Sequence, residues 1–586
     1  SSYTVRRTPP APARAAMGAA NSRHSPGACV PLPTLLSRGF RAGSCRRIDT
    51  PLIDLQEGSS GEKIPLLGRY HRALRKIEDD YIVGASVLGQ GCNGVVRLAN
   101  SKASPSSSQR FAVKQIRLTG LSAQDRLRLK TETEIFLRMD HPHIARLYDV
   151  YCSDTYLHLV MECMEGGELF QRVEERQVFP EAEAAETVWQ ILLALNYIHS
   201  HGIVHRDLKL ENVLFETKGG SHLKMIDFGF SKVVAPDGGK MRQRLGTLPY
   251  SAPEVLAQSY TSQCDLWSLG VITFILLAGH MPFGGAPAVQ LQRISEGKYT
   301  MQSRLWKGIS KDAKDFTRSL LLVDPEQRLS AQAALEHPWI QRRGQCSQVE
   351  VDILVVYALR QFCRASRFRR CCMEILAWSL PKEERARLRP YFLAMDQNKH
   401  GTIALWELKD ALQGKFCIPD EETQKIFDAL DFDRDAEVQY SDFLAAMLNS
   451  SVVLHDGLLQ NAFNRFDTDH SGAITADDVR WVLGGDAFDG EKVEKLIGEA
   501  DHAHPGRITY PEFVAYLRGG SAATEVVQGE AVDPGACNST EVQGAALDAE
   551  AHEGKEIVQG SLVFRPAETS RPAPVAGADP TCTPLS

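Results

Sequence analysis

His205-Arg206-Asp207-Leu208-Lys209-Leu210-Glu211-Asn212, followed by Asp227-Phe228-Gly229, is the stretch whose reading decides the fold. Downstream stand Ala252-Pro253-Glu254, Asp265-Leu266-Trp267-Ser268-Leu269-Gly270 and Arg328. Upstream, the strand-like residues Tyr81 to Leu88 run into Gly89-Gln90-Gly91-Cys92-Asn93-Gly94-Val95-Val96. Glycines at that spacing let backbone N–H groups approach phosphate oxygens with no side chain in the way. Alone, the glycine pattern is a weak signal. A dinucleotide-binding reading needs a helix directly after the glycines and an acidic residue about 20 positions on. Here a β-branched strand follows, and then Phe111-Ala112-Val113-Lys114, which excludes it.

In their order and spacing these motifs resemble the eukaryotic protein-kinase family over residues 81 to 340. The resemblance implies a two-lobed α+β fold and transfer of the γ-phosphoryl group of ATP. Such a transfer needs charge stabilisation and positioning more than covalent help. By the resemblance, Asp207 accepts or orients the substrate hydroxyl proton and Lys209 lies near the transferred phosphate. Asn212 and Asp227 hold Mg²⁺. Gly89, Gly91 and Gly94 cover the nucleotide phosphates, flanked by Leu88 and Val96, and Lys114 anchors them. Glu162 and Glu168 are also placed in the nucleotide site, and Met161 gates the adenine pocket. Lys114 needs an orienting glutamate on the helix expected over Leu121 to Met139. Glu132 is chosen for its spacing to the Asp140-His141-Pro142 turn, with Glu134 as the alternative. Glu254 is expected to brace the C-lobe by pairing with Arg328. No catalytic position is missing, which speaks for an active enzyme over a kinase-like scaffold.

Lys209, two residues after the catalytic aspartate, resembles serine/threonine rather than tyrosine kinases. Glu168 and Glu211 match acidic positions that pair with substrate arginines in relatives preferring basic substrates. Arg206 ordinarily partners an activation-loop phosphate, yet the usual phosphothreonine slot aligns with Gln243. Thr247 resembles instead the threonine that contacts the catalytic aspartate. Activity without loop phosphorylation is therefore expected.

After residue 381 the chain repeats itself. Four segments read as helix, 12-residue loop, helix, with loops at 396–407, 431–442, 467–478 and 501–512. The apolar frame recurs independently of any ligand. Phe392, Phe427, Phe463 and Ile497 stand before the loops, and Ile403, Val438, Ile474 and Ile508 stand at loop position 8. This is a tandem EF-hand array whose neighbouring loops pair through position 8, giving two all-α lobes. Calcium takes oxygens from positions 1, 3, 5, 7 and 12, with glycine at 6. The third loop supplies Asp467, Asp469, Ser471, the Ala473 carbonyl and Asp478 around Gly472. The first supplies Asp396, Asn398, the Thr402 carbonyl and Glu407, but places His400 at position 5, a poor ligand for a hard cation. The second supplies Asp431, Asp433, Asp435, the Glu437 carbonyl and Asp442, but has Ala436 in place of the glycine. The fourth keeps only Asp501 and Glu512, with Ala503 and Pro505 where ligands belong, and is read as non-binding.

A kinase domain followed by four EF-hands on one chain resembles the calcium-dependent protein kinase family, over about residues 78 to 518. The resemblance implies ATP, Mg²⁺ and Ca²⁺ as cofactors, protein substrates, and an intramolecular contact between the hands and a regulatory segment. That segment, 341–381, joins the kinase domain (78–340) to the hands (382–518). Val351, Leu354, Val355, Leu359, Phe362, Phe368, Ile375 and Leu376, interspersed with Arg360, Arg364, Arg367, Arg369 and Arg370, read as a basic amphipathic helix. It is expected to block the substrate cleft without calcium and to be withdrawn by the loaded hands.

The 586-residue chain has a net charge of −7, which speaks against nucleic acid as a partner. No apolar run is long enough for a membrane helix. Thirteen scattered cysteines without a C-x-x-C pair are expected to be reduced thiols of a cytoplasmic protein. Residues 1–77 and 519–586 are Pro-, Ala- and Gly-rich with little periodicity, and are expected to be disordered extensions. Met17-Gly18-Ala19-Ala20-Asn21-Ser22 matches the myristoylation pattern if translation starts at Met17. Cys29 and the arginines 38, 41, 46 and 47 would supply the second signal that peripheral membrane attachment needs.

Overall fold

The computed structural model describes residues 69–71, 75–91, 94–102, 109–234, 240–243, 245–301, 304–344, 350–431, 434–451, 455–483, 493–501 and 506–519. The expectations for residues 1–68 and for the tail after Gly519, including acylation at Gly18, fall outside these residues, as do Cys92, Asn93, Asp433, Ala503 and Pro505. The last part of the 1–77 extension is instead ordered, Tyr70–His71 forming a strand and Arg69 donating to the Leu137 and Leu147 carbonyls.

A six-stranded sheet forms the first lobe. Its strands are β1 (Tyr70–His71), β2 (Tyr81–Gly91), β3 (Gly94–Ser101), β4 (Arg110–Arg117), β5 (Leu147–Cys152) and β6 (Tyr156–Glu162), in the order β1-β5-β6-β4-β3-β2. β1 runs parallel to β5, and the other neighbours are antiparallel. In register, Lys114 of β4 lies between Val96 of β3 and Leu159 of β6. Helix α1 (Ala123–Arg138) crosses this lobe, its start fixed by Ser122 Oγ accepting from the Asp125 N–H at 3.1 Å. Such a cap contributes about 1 kcal/mol. The second lobe is helical, built on α2 (Glu181–Ser200) and the fully buried α3 (Gln263–Ala278). Short strands β7 (Ile203–Val204), β8 (Val213–Phe215) and β9 (Leu223–Met225) carry its loops. No described helix is long and apolar enough to cross a membrane.

The segment read as one basic helix is two: α4 (Ile353–Arg364) and α5 (Arg367–Trp378). Ala365 breaks the helix in extended conformation, and Ser366 Oγ restarts it by accepting from the Arg369 N–H at 3.3 Å. Its apolar face belongs to the core of the EF-hand module. Val355, Leu359, Phe362, Phe368 and Leu376 share one buried cluster with Phe392, Phe427, Phe463 and Phe513. Its arginines serve helix ends. Arg369 donates to the Tyr516 and Leu517 carbonyls, and Arg370 to that of Ala429. Those carbonyls close the helices Tyr510–Leu517 and Asp420–Leu430, whose C-terminal ends favour a cation. Arg360 pairs with Glu422 at 2.6 Å.

Loop position 8 pairs as read: Ile403 with Val438, and Ile474 with Ile508. The module begins with α6 (Lys382–Met395) and lies against the kinase lobes. The Asp140 carboxylate accepts from the Ser441 N–H at 2.6 Å, capping the helix Tyr440–Ser451. Asn196 of α2 donates to the Lys399 carbonyl at 2.7 Å. Arg465 forks onto Asp149 at 2.9 and 3.1 Å. Gly401 fits against His141 and Tyr197 so closely that a Cβ there would sit 2.6 Å from the His141 ring.

Candidate active site and calcium loops

Strand β4, helix α1 and the segment after β9 bring Lys114, Glu132 and Asp227 together. Lys114 Nζ lies 3.1 Å from Asp227 Oδ1 and 3.8 Å from Glu132 Oε1. Glu134 pairs instead with Lys130 on its own helix at 3.9 Å, so the geometry selects Glu132. Burial raises Glu132 to about 6, against the pull of Lys114. Burial also works to raise Asp227, but the Lys114 charge and hydrogen bond outweigh it and hold the carboxyl below its ordinary range. Phe228, buried between Phe136 of α1 and His205, fixes Asp227 at φ +62°.

The catalytic loop is set by hydrogen bonds to its own backbone. Asp265 of α3 accepts from the His205 and Arg206 N–H groups, each at 2.9 Å, and from His199 Nε2 at 2.9 Å. The sequence motif gave Asp265 no role, and this is one. Asp207 then meets Lys209 Nζ at 2.6 Å and accepts from Thr247 Oγ1 at 2.8 Å. Asn212 Nδ2 donates to the Asp207 carbonyl at 2.8 Å. Thr247 is thus where the sequence put it, on the Asp207 carboxylate. Gly246 has φ +98°, and a Cβ there would stand 2.7 Å from the Arg206 carbonyl.

The Arg206 guanidinium donates to the Phe230 and Ser231 carbonyls through Nε and Nη2, while its Nη1 is buried without a hydrogen-bond partner. The Gln243 carbonyl accepts from Tyr260 at 2.7 Å. Glu254 and Arg328 form a two-pronged pair at 2.5 and 3.0 Å. Leu88 is half exposed at the mouth of the cleft, and Gly89 has open space around it. Gly94 differs: a Cβ there would lie 2.1 Å from the Gln115 carbonyl, so strand packing itself requires a glycine. Glu168 sits at the start of the helix Leu169–Arg176. Burial, then repulsion from Glu211, raises its carboxyl, and burial raises Glu211 likewise.

Glu162 departs from the reading. Its carboxylate is turned away to Arg385, 2.5 Å from Oε1, and Lys224, 2.8 Å from Oε2. Any part it takes in nucleotide binding falls to its main chain. Neither Arg385 nor Lys224 was singled out by sequence, because nothing local marks a partner 223 positions away.

In each loop the first acid accepts from the N–H at position 6. Asp396 takes Gly401, Asp431 takes Ala436, Asp467 takes Gly472 and Asp501 takes Gly506, at 3.1, 3.1, 3.0 and 2.6 Å. The twelfth residue accepts from the N–H at position 9: Glu407 from Ala404, Asp442 from Gln439, Asp478 from Thr475 and Glu512 from Thr509. It thereby caps the exit helix of each loop. Among the described residues no three His, Cys, Asp or Glu side chains gather into a metal-holding cluster. The donor chemistry of the third loop suits a hard cation. In the first, Asp396 and Glu407 are buried and Lys399 Nζ is tied to the Leu393 and Asp396 carbonyls. In the second, Ala436 stands at φ +66°, a strain of roughly 1 kcal/mol. The fourth offers Asp501 and Glu512, too few for a cage.

A two-lobed fold with a lysine–glutamate–aspartate cluster, a braced His-Arg-Asp loop and paired EF-hands defines a protein kinase fused to a calcium-binding module. The family profile described as protein kinase domain matches residues 83–340, and that described as EF-hand domain pair matches 385–448 and 458–518. Calcium-dependent protein kinases 34 and 17 of Arabidopsis thaliana are each 35% identical over 463 residues, 78% of this chain and 87% and 86% of those proteins. Calcium-dependent protein kinase 11 of Oryza sativa subsp. japonica is 35% identical over 453 residues, 76% of this chain and 78% of that protein. The chain belongs to the calcium-dependent protein kinase family and is a calcium-regulated serine/threonine protein kinase. Its kinase domain implies ATP as phosphoryl donor, and its hands imply calcium binding.

Proposed function

We propose that the enzyme transfers the ATP γ-phosphoryl group to serine or threonine in basic protein segments, with Asp207 orienting the hydroxyl. The observation that carries this is the assembled set Asp207–Lys209–Thr247, in which Lys209 Nζ and Thr247 Oγ1 both meet the Asp207 carboxylate. Lys209 would meet the transferred phosphoryl group, while Lys114, Gly89, Gly91 and Gly94 hold the nucleotide phosphates. Asn212 and Asp227 would hold Mg²⁺, which when bound neutralises charge on those phosphates. Thr247 keeps the Asp207 carboxylate aimed, and Glu132 keeps Lys114 aimed. Glu168 and Glu211 repel each other across the substrate side, and a substrate arginine between them relieves that repulsion.

Loop three is the best-furnished calcium site, loop one departs from it at His400, loop two is strained at Ala436 and loop four is a structural partner. Without calcium, the segment α4–α5 covers the substrate cleft. Its clasp by helices of both EF-hand lobes supports this, because the loaded hands then have a place to hold it withdrawn. Acylation at Gly18 with a basic flank would bring this cytoplasmic enzyme to a membrane. Intact-mass measurement of the native protein tests that, an unacylated N-terminus ruling it out.

The test of the central reading is phosphorylation of an Arg-containing serine peptide with Mg²⁺-ATP across a calcium titration, beside Asp207→Asn. Activity should rise with calcium and vanish in Asp207→Asn. Equal activity in chelator and calcium would sink the regulatory part, and stoichiometric phosphate on residues 229–251 of the active form would sink the loop argument.

A further inference from the structure

Three cations on α6 reach the segment that joins the two kinase lobes. Lys382, Arg385 and Arg389 are spaced i, i+3 and i+7, and so line one helical face. Lys382 pairs with Glu165 in the linker. Arg385 Nη2 lies 2.5 Å from Glu162 Oε1, at the end of β6, and 3.9 Å from Glu216 Oε1, just after β8. Arg389 Nη2 lies 3.0 Å from Glu216 Oε2. The kinase contributes one cation of its own. Lys224 Nζ stands 2.8 Å from Glu162 and 3.7 Å from Glu216. The side chains of Glu162, Glu216, Lys224 and Arg385 are all between 2 and 6% exposed.

If Arg385 and Arg389 lost their charges with α6 still packed in place, this site would hold two buried carboxylates on one ammonium. A buried charge left uncompensated is strongly unfavourable, and the local backbone must shift to admit water or a counter-ion. That backbone is not neutral ground. The linker pairs with the strand β8, Gly166 N–H donating to the Phe215 carbonyl at 3.0 Å and Glu165 N–H to that of Glu216 at 3.2 Å. β6, which ends at Glu162, is the strand hydrogen-bonded to β4, with Leu159 opposite Lys114. A displaced Glu162 therefore disturbs both the hinge between the lobes and the strand that carries the phosphate-anchoring lysine.

We propose that Arg385 is a positioning residue for nucleotide binding: through Glu162 it fixes the linker and β6, so the EF-hand module supports the ATP cleft from behind. The inference rests on reading the Lys114 cleft as the nucleotide site.

The experiment uses the full-length protein at saturating calcium. Arg385→Met, Arg385→Lys and Arg387→Met are compared with the parent for kcat, KM for ATP, KM for a serine peptide, and affinity for a fluorescent ATP analogue. Arg387 lies exposed on the other side of α6, paired with Glu384, and its variant should match the parent. Arg385→Met should raise KM for ATP and weaken analogue binding by roughly five- to tenfold, with kcat and peptide KM little changed. Arg385→Lys should restore most of the loss. A folded Arg385→Met with unchanged ATP KM and analogue affinity overturns the proposal. So does a loss spread evenly over kcat and both KM values, which is what mere structural damage would give. If Arg385→Met does not fold, Arg389→Met decides, a selective rise in ATP KM supporting the proposal and none overturning it. Lys114→Met separates the two readings. If it binds the analogue as the parent does, the nucleotide-site reading itself falls and takes the inference with it.

Discussion

Lys114, Glu132 and Asp227 make one charge cluster of this kinase. Glu162, Glu216, Lys224, Arg385 and Arg389 make another. Both set basic groups against carboxylates at the junction of the lobes, yet they differ in what they leave open. The first has two carboxylates for one ammonium, and the Asp227 side chain is 39% exposed. It is short of positive charge on the side that faces solvent, which is the condition for taking up a divalent cation with nucleotide phosphates. The second has three cations for two carboxylates, and none of its side chains is more than 12% exposed. It is shut off from solvent, although Glu216 Oε1, Arg385 Nη1 and Arg389 Nε stay without a hydrogen-bond partner inside it. An open, under-compensated cluster does chemistry, while a closed one holds two pieces of chain in register.

The comparison can be broken at four points of decreasing effect. Lys114→Met should lower kcat/KM by roughly a thousandfold or more while the protein stays folded, because the open cluster contributes to transfer rather than to folding. Unfolding of that variant would erase the distinction. Lys224→Met in the closed cluster should cost about 3 to 5 kcal/mol of stability, seen in chemical denaturation of the full chain. A loss below 1 kcal/mol would mean that the closed cluster is not closed.

Glu132→Gln probes the open cluster through pH. Its folded value, about 6, lies above the ordinary 4.5, so the folded protein binds this proton more tightly than the unfolded chain does. The resulting stabilisation is fully present below 4.5 and is lost as the pH rises through 6. At neutral pH the charged carboxylate therefore costs about 2 kcal/mol. Relative to Glu132→Gln, the parent should lose that much stability between pH 4.5 and 7, although the variant is the poorer enzyme. A pH-independent stability difference would contradict the assignment. Lys382→Met, at the partly exposed margin of the closed cluster, should cost less than about 1 kcal/mol, and its effect should fade with added salt.

Much of the open cluster was legible because its members come from short motifs at fixed spacing. Lys114 follows a strand signature, Asp227 heads Asp-Phe-Gly, and Glu132 sits a set distance before Asp140-His141-Pro142. The EF-hands were legible for the same reason, down to Ala436, which the chain does carry at positive φ. The regulatory segment was read with its composition right and its job incomplete. Its arginines looked like a free basic face, and the structure sets Arg369 and Arg370 on the carbonyl ends of EF-hand helices. Glu162 was placed with the nucleotide because of its position after Met161, and its side chain points elsewhere. A trace of the truth was present in Lys382, Arg385 and Arg389, a basic stripe at helical spacing. A stripe of that kind is ordinarily solvated, and only a facing set of carboxylates distinguishes it.

By itself, then, the sequence determined the local devices: the glycine loop, the catalytic loop, the acid at each loop position and the apolar frame of the repeats. These depend on backbone geometry and neighbours within a few turns, which spacing encodes. Only the tertiary structure decided that Asp140 caps an EF-hand helix, that Asn196 holds Lys399, and that Arg385 meets Glu162. The strength of a charge pair follows from separation and burial, and for groups on two separately built modules both are set by how the modules dock.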